Sequence, residues 1–274
     1  MQLVDTHTHL DMPQFSIDRK ATIERAHAAG VAWMIDVGAD LPSSRRAVAL
    51  AQQEPTLWAA VGVHPHDAET VTAAALAELR TLAAQPRVVA IGEIGLDYYR
   101  DLAPRPAQRA AFAAQLALAQ ELGLPVIIHN RDAHEDTLAL LREALGGRLG
   151  ALSGVMHCFS GGPELAQQVL DLGLYLGLDG PLTYPNARAL PEVARLAPLE
   201  RLLIETDCPY LAPQGHRGQR NEPAYVRLVA ERLAELRGLT LAEVSRATTT
   251  NAGALFGVNM PSICSVRCKQ DGAS

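Results

Sequence analysis

Eight short apolar runs recur along the chain, separated by longer amphipathic or alanine-rich stretches. They read as strands at 2–6, 32–37, 57–63, 87–92, 125–129, 154–158, 174–178 and 202–206. The stretches between them carry helix signals. Residues 112–122 set Leu116 and Leu118 in an Ala/Gln background and stop at Gly123, with Pro125 just beyond, which is how helices end. Residues 138–145 stop at Gly146-Gly147, and Thr240-Leu-Ala-Glu243 is a capping box that satisfies open amides at a helix start. Strand and helix alternating eight times within about 250 residues is the arithmetic of a closed (β/α)8 barrel, the TIM barrel. A doubly wound open sheet is the rival.

Residues at the carboxyl ends of the runs favour the barrel. His7 and His9 close the first strand, Glu93 follows the fourth, His129 the fifth, His157 the sixth and Asp207 the eighth. Strands that far apart in order seldom converge in an open sheet, whereas in a barrel all carboxyl ends surround one mouth. We therefore expect one α/β domain over 1–258, a single (β/α)8 barrel with a metal site at the carboxyl ends of its strands. The stretch 259–274 loses apolar periodicity and is expected to be a disordered tail. Residues 207–223 are rich in Pro, Gly and Arg and are expected to loop over the mouth.

Alternate strand residues share a face, so His7 and His9 point the same way. Two imidazoles so placed can bind a divalent ion, or they are solvated polar groups at a strand end. Asp5 precedes them on that face, as a partner for a ligand histidine or a cap. Glu93 comes directly after an apolar strand, and a carboxylate is costly to bury alone. Metal coordination would satisfy it, as would a salt bridge, and its two oxygens could bridge two ions. Asp97 is a helper or an ordinary loop acid. His129 and His157 each end an apolar run, as ligands or as half-buried, hydrogen-bonded histidines. Asp207 is a ligand or a strand-end cap, on the same side as Glu205 by period two. His64 and His66 repeat the His-x-His spacing after the third strand, as holders of a second metal, as phosphate donors, or as loop structure. Arg131, Arg217 and Arg220 could bind phosphate through planar, bidentate contacts, or be surface arginines. Histidine and carboxylate without thiolate suit Zn, Mn or Mg. His27 and His134 read as helix residues.

The 274 residues carry a formal net charge of -6, which argues against broad nucleic-acid coating. A compact site can still bind phosphate through metal ions and a few arginines. No run of about 18 uncharged apolar residues exists, so no membrane span is expected, and no secretory signal is expected from the start. Four cysteines form no disulfide framework, so a reducing cytoplasm is expected.

Taken in order, several segments resemble the TatD family of metal-dependent deoxyribonucleases, within the amidohydrolase-like barrels. They are Asp5-Thr-His-Thr-His-Leu10, Gly62-Val-His-Pro-His66, Gly92-Glu-Ile-Gly-Leu-Asp-Tyr98, His129-Asn-Arg131, His157-Cys-Phe-Ser-Gly161 and Glu205-Thr-Asp-Cys-Pro-Tyr-Leu-Ala-Pro213, with Arg217-Gly-Gln-Arg-Asn-Glu-Pro223 and Asn251-Ala-Gly-Ala-Leu-Phe256. The resemblance covers about residues 2–257. It implies a two-metal phosphodiesterase using Mg or Mn, with Zn competing. It implies His7, His9, Glu93 and Asp207 at one ion, and Glu93, His129 and His157 at the other. The catalytic set is then Asp207 as base, Glu93 as bridge and His64 at the scissile phosphate, with Arg131, Arg217 and Arg220 beside it. The implied activity is 3'-5' exonucleolytic cleavage, with single-stranded DNA the expected substrate, in the setting of DNA repair. A monomer is expected. The rival is a barrel hydrolase of ester or amide bonds, such as a D-aminoacyl-tRNA deacylase. A scaffold that binds metal without turnover is a third possibility.

Overall fold

The structure, a computed structural model, describes residues 2–147, 150 and 152–258. The expected tail 259–274, with Cys264 and Cys268, lies outside the described residues. The strands are β1 (Leu3–Thr8), β2 (Val31–Val37), β3 (Leu57–Val61), β4 (Val88–Asp97), β5 (Val126–Arg131), β6 (Gly154–Met156), β7 (Tyr175–Leu178) and β8 (Leu202–Ile204). They pair in chain order, every pairing parallel. Crossovers are made by α1 (Arg19–Ala28), α2 (Leu41–Gln53), α3 (Ala73–Ala83), α4 (Arg105–Leu122), α5 (His134–Leu145), α6 (Pro163–Asp171) and α7 (Ala189–Leu196). Then α8 (Val226–Arg237) and α9 (Leu241–Phe256) follow the last strand. The expected capping box is present at α9, where Thr240 Oγ1 accepts the Glu243 N–H and the Glu243 carboxylate accepts the Thr240 N–H.

The ring closes at its mouth. Asp207 N donates to His7 O and His9 N to Cys208 O, both at 2.9 Å, and Thr6 Oγ1 donates to Ile204 O at 3.2 Å. Thr8 and Cys208 form a parallel bridge. The seam between first and last strand is thus stitched by the segments that carry the candidate ligands.

Two apolar layers result. Val4, Ile35, Ala60, Ala90, Ile127, Val155 and Leu203 cluster with Leu255 and Phe256 of α9. That helix lies under the amino ends of the strands, where Ser245 and Thr249 donate to Gln2 O and Asn251 donates to Leu199 O and Leu202 O. Outside the ring, Met34, Leu57, Ile91 and Ile128 pack with helix residues such as Ile23, Leu79, Phe112 and Leu233. Each fully buried aliphatic or aromatic side chain contributes about 1.5–3 kcal/mol. The polar mouth can therefore be strained without loss of the fold.

Several boundaries differ from expectation, for local reasons. β4 runs on to Asp97, so Glu93 lies inside a strand rather than after one. Gly95 allows this: at φ +146 a Cβ there would stand 1.9 Å from His129 O, so only glycine lets β5 come so close. β6 and β8 stop early because Cys158 and Asp207 adopt positive φ, +44 and +55. Such conformations cost a non-glycine residue about 1–3 kcal/mol. α4 starts at Arg105, seven residues before the expected 112 and immediately after Pro104.

Candidate metal centre

The backbone brings six histidine and carboxylate side chains from five strand ends to one point. His7 Nε2 and His9 Nε2 lie 3.2 Å apart. Asp207 Oδ1 is 3.3 Å from His9 Nε2 and 3.7 Å from His7 Nε2. Glu93 Oε2 faces the same pair at 3.6 and 3.8 Å. The other Glu93 oxygen, Oε1, faces away from them. It lies 2.7 Å from His157 Nε2, 2.8 Å from His129 Nδ1 and 3.6 Å from His64 Nε2. Ligands about 2.1 Å from a tetrahedral ion are about 3.4 Å from one another. The separations on the Oε2 side bracket that value. Those on the Oε1 side are shorter because the groups hydrogen-bond to each other. Three sets among the described residues could hold an ion: His7/His9/Asp207, His7/Glu93/His157 and His64/Glu93/His129.

Neighbouring groups fix which ring nitrogen is free. His9 Nδ1 meets Val37 O at 2.8 Å. A carbonyl only accepts, so Nδ1 holds the proton and Nε2 is left for an ion. His129 Nε2 donates to Asp97 Oδ2 at 3.1 Å, turning Nδ1 toward Glu93. Asp97 Oδ2 also accepts from His66 Nε2, and its Oδ1 accepts the amides of Tyr99 and Arg100. Asp97 is therefore an orienting group, and His66 is joined to it. His64 Nδ1 accepts the His66 N–H at 3.1 Å. A neutral His64 then bears its proton on Nε2, which makes it a donor rather than a ligand through that atom. Asp5 does not touch an imidazole. It accepts the His7 and Thr206 amides and the Thr206 hydroxyl, tying β1 to the end of β8. Glu205 accepts the Cys158 N–H and the Thr6 hydroxyl. The space for it exists because residue 177 is glycine, where a Cβ would lie 2.5 Å from Glu205 Oε1.

Burial and charge set the protonation of the metal-free pocket. Burial opposes ionisation of Glu93, but the charge of His157 and hydrogen bonds from His129 and His157 hold its carboxyl well below the usual range. Asp207 is likewise kept low, against burial, by His9 and His7. Burial pulls His157 down, yet Glu93 and then Glu205 carry it up to about 10. His9, equally buried, is carried up to about 9 by Asp207. His7 drops to about 4 through burial and the neighbouring His157 charge. His64 is pushed well down by burial and stays neutral.

A cavity of about 780 Å³ opens over this cluster, with His64, Arg100, Arg131, Asp207 and Tyr210 among its walls. A second, of about 610 Å³, adjoins it past His9 and Tyr210. The expected arginines divide. Arg131 lines the larger cavity, with its guanidinium 3.9 Å from the Tyr99 ring centroid. Arg217 lies over Tyr184 at 4.5 Å, and Arg220 is bound to Asp18 at 2.7 Å and to Gln14 O. Neither lines either cavity; in this structure Arg217 packs on Tyr184 and Arg220 ties the loop to Asp18 and Gln14. His27 and His216 are structural, bonded to Val31 O and stacked on Tyr225. His134 is the first residue of α5. Tyr210 lies on the loop expected over the mouth. Sequence reasoning missed Tyr99, Arg100 and Leu102 as mouth residues, and no spacing pattern marks them. It also missed Asp179, the residue after β7. Both carboxyl oxygens of Asp179 are buried without a hydrogen-bond partner, and burial pushes its pKa up to about 8.

An eight-stranded parallel barrel that gathers histidines and carboxylates at its carboxyl rim has the build of a metal-dependent hydrolase. The profile of the family described as TatD related DNase matches residues 4–257. The chain belongs to that family. It is 46% identical over 257 residues to the uncharacterized metal-dependent hydrolase YabD of Bacillus subtilis (strain 168), covering 94% of this chain and 100% of that one. It is 43% identical over 263 residues to the 3'-5' ssDNA/RNA exonuclease TatD of Enterobacter lignolyticus (strain SCF1), covering 94% and 100%. Among solved structures, YjjV, a TatD homolog from Escherichia coli K12, superposes with a TM-score of 0.87 at 35% identity, covering 94% of this chain and 98% of that one.

Proposed function

We propose that the chain is a two-metal phosphodiesterase that removes nucleotides from the 3' end of single-stranded nucleic acid. The observation that carries this reading is the divided Glu93 carboxylate, with one oxygen toward His7, His9 and Asp207 and the other toward His129 and His157. Those two groups would each hold a divalent ion, Mg or Mn by family habit and Zn by donor type. The ions would supply an activated water and charge neutralisation at the phosphoryl group.

The chain's own residues do the rest. Asp207 stays ionised, lines the cavity and takes the proton of the attacking water. His64, neutral with its proton on Nε2, donates to a non-bridging phosphoryl oxygen as negative charge grows there. Arg131 and Arg100 set positive charge along the strand's path. Glu93 and Asp97 hold the histidines in register. Cleavage from the 3' end is supported by relatives named for that activity. A monomeric barrel over 1–258, a reducing cytoplasm and a part in DNA repair belong to the same proposal.

The test is a set of end-labelled oligonucleotides, single- and double-stranded, incubated with Mg, Mn or Zn. Stepwise loss of the 3' label from single strands is expected. Asp207→Asn should lower kcat by about 10²–10⁴, the usual weight of a general base. Intact oligonucleotides together with hydrolysis of an aminoacyl ester would replace the nuclease reading with a deacylase.

A further inference from the structure

The mouth of the barrel leaves apolar surface uncovered. Six large apolar side chains are exposed among the described residues, and four of them, Tyr99, Leu102, Tyr210 and Leu211, lie on the loops that follow β4 and β8. Leu102, Tyr210 and Leu211 line the larger cavity directly. Tyr99, 61% exposed, stands beside its lining residues Arg100 and Arg131, with the Arg131 guanidinium carbon 3.9 Å from its ring centroid. Exposed apolar surface gathered beside a polar site marks where a ligand rests.

The loop that displays Tyr99 is held firmly. Tyr99 N and Arg100 N both donate to Asp97 Oδ1, at 3.0 and 2.7 Å. The second oxygen of that carboxylate holds His129. One side chain therefore ties the loop to the metal-facing histidine. Tyr98, the residue before it, donates to Asp136 at 2.6 Å, with Arg105 over its ring. Tyr99 is left facing outward on a fixed backbone.

We infer that Tyr99 and Arg131 form a stacking platform for one nucleobase of the substrate strand, on the β4–β5 side of the metal centre. This rests on the nuclease reading and adds to it. A phenol ring under a guanidinium is flat, aromatic and cationic at once. Its face takes a base, and the N–H edge of Arg131 takes the phosphate of the same nucleotide. The platform stands exposed at the rim rather than enclosed, and stacking is tolerant of sequence. The enzyme should therefore require a base there without selecting which one. Duplex DNA keeps its bases stacked on one another, so the platform favours single strands.

Steady-state kinetics with Mn test this on a single-stranded oligonucleotide and on its counterpart with abasic sites flanking the scissile bond. Loss of the bases should raise KM of the wild type by about tenfold, the worth of one base on an aromatic ring. Tyr99→Ala should show the raised KM on both substrates. Tyr99→Phe, which keeps the ring, should retain the low KM and the discrimination, and kcat should move less than twofold throughout. Tyr99→Ala with the wild-type KM and undiminished discrimination overturns the platform while leaving the nuclease reading intact. A wild type that cleaves neither oligonucleotide with any divalent ion overturns both.

Discussion

The two sides of the Glu93 carboxylate are supported differently. On the Oε2 side the backing is backbone: His9 rests its Nδ1–H on Val37 O, and His7 Nδ1 has no hydrogen-bond partner among the described residues. On the Oε1 side the backing is acidic: His129 donates to Asp97, and Glu205 Oε1 lies 3.8 Å from His157 Nδ1. An acid behind an imidazole makes it a stronger base, and so a better ligand once its proton is gone. It also makes the proton harder to remove. In the metal-free pocket His157 is carried to about 10 while His7 falls to about 4. His9 departs from its side's pattern because Asp207, across the would-be ion, carries it to about 9. Metal entry must expel protons from both sides, and more firmly held ones beside Glu93 Oε1.

The harshest test removes what the sides share. Glu93→Ala deprives both groups of an oxygen, and losing several kcal/mol of charge stabilisation should cut kcat/KM by about 10³ or more. Activity within tenfold of wild type would mean that the carboxylate does not join two ions. A gentler change sharpens the contrast. Asp97→Asn should weaken binding of one ion by about 10–100-fold and spare the other. Titration calorimetry with Mn would resolve this as one weakened class of sites, and equal weakening of both would erase the distinction.

The smallest effect is on stability against pH. The raised histidines, His9 and His157, stabilise the metal-free fold below the usual 6.5, and that contribution is lost as pH rises through about 9 and 10. Burial holds Asp36 and Asp179 up at about 7 and 8. The unfolded chain ionises them from 3.8 upward, so they too weaken the fold as pH rises to those values. The thermal midpoint of metal-free protein should therefore drop by several degrees between pH 6.5 and 9, at about 2–4 °C per kcal/mol for a chain of this size. Saturating Mn should flatten the slope, because bound ligands have already lost their protons. A metal-free midpoint that climbs over this range would contradict the protonation pattern.

The barrel was legible because each strand is an apolar run and the runs break on His, Glu or Asp at the same end. Convergence of those residues followed from closure alone. Strand lengths were not legible, since they turn on backbone choices such as Gly95 under β5 and the left-handed turn at Asp207. The first part of α4, Arg105–Ala111, lacks a large apolar residue and so hid a full turn and more. Asp5, placed correctly on its strand, acts as the cap rather than the partner of an imidazole, and the sequence could not choose because its partner Thr206 is 201 residues away. The contact of Arg220 was hidden for a related reason: Asp18, which it binds, is 202 residues distant. Tyr98 and Tyr99 are identical in type and adjacent, yet one braces α5 and the other faces solvent, a difference made only by loop geometry.

The stitching of first strand to last has a bearing on how the enzyme comes into being. His7 and His9 leave the ribosome about 200 residues ahead of Asp207, and through that interval the carboxylate that completes their side of the ring is missing. An unfinished polypeptide therefore lacks a complete centre. Competence arrives in one stroke when the circle is completed, and whatever prises those two edges apart withdraws it.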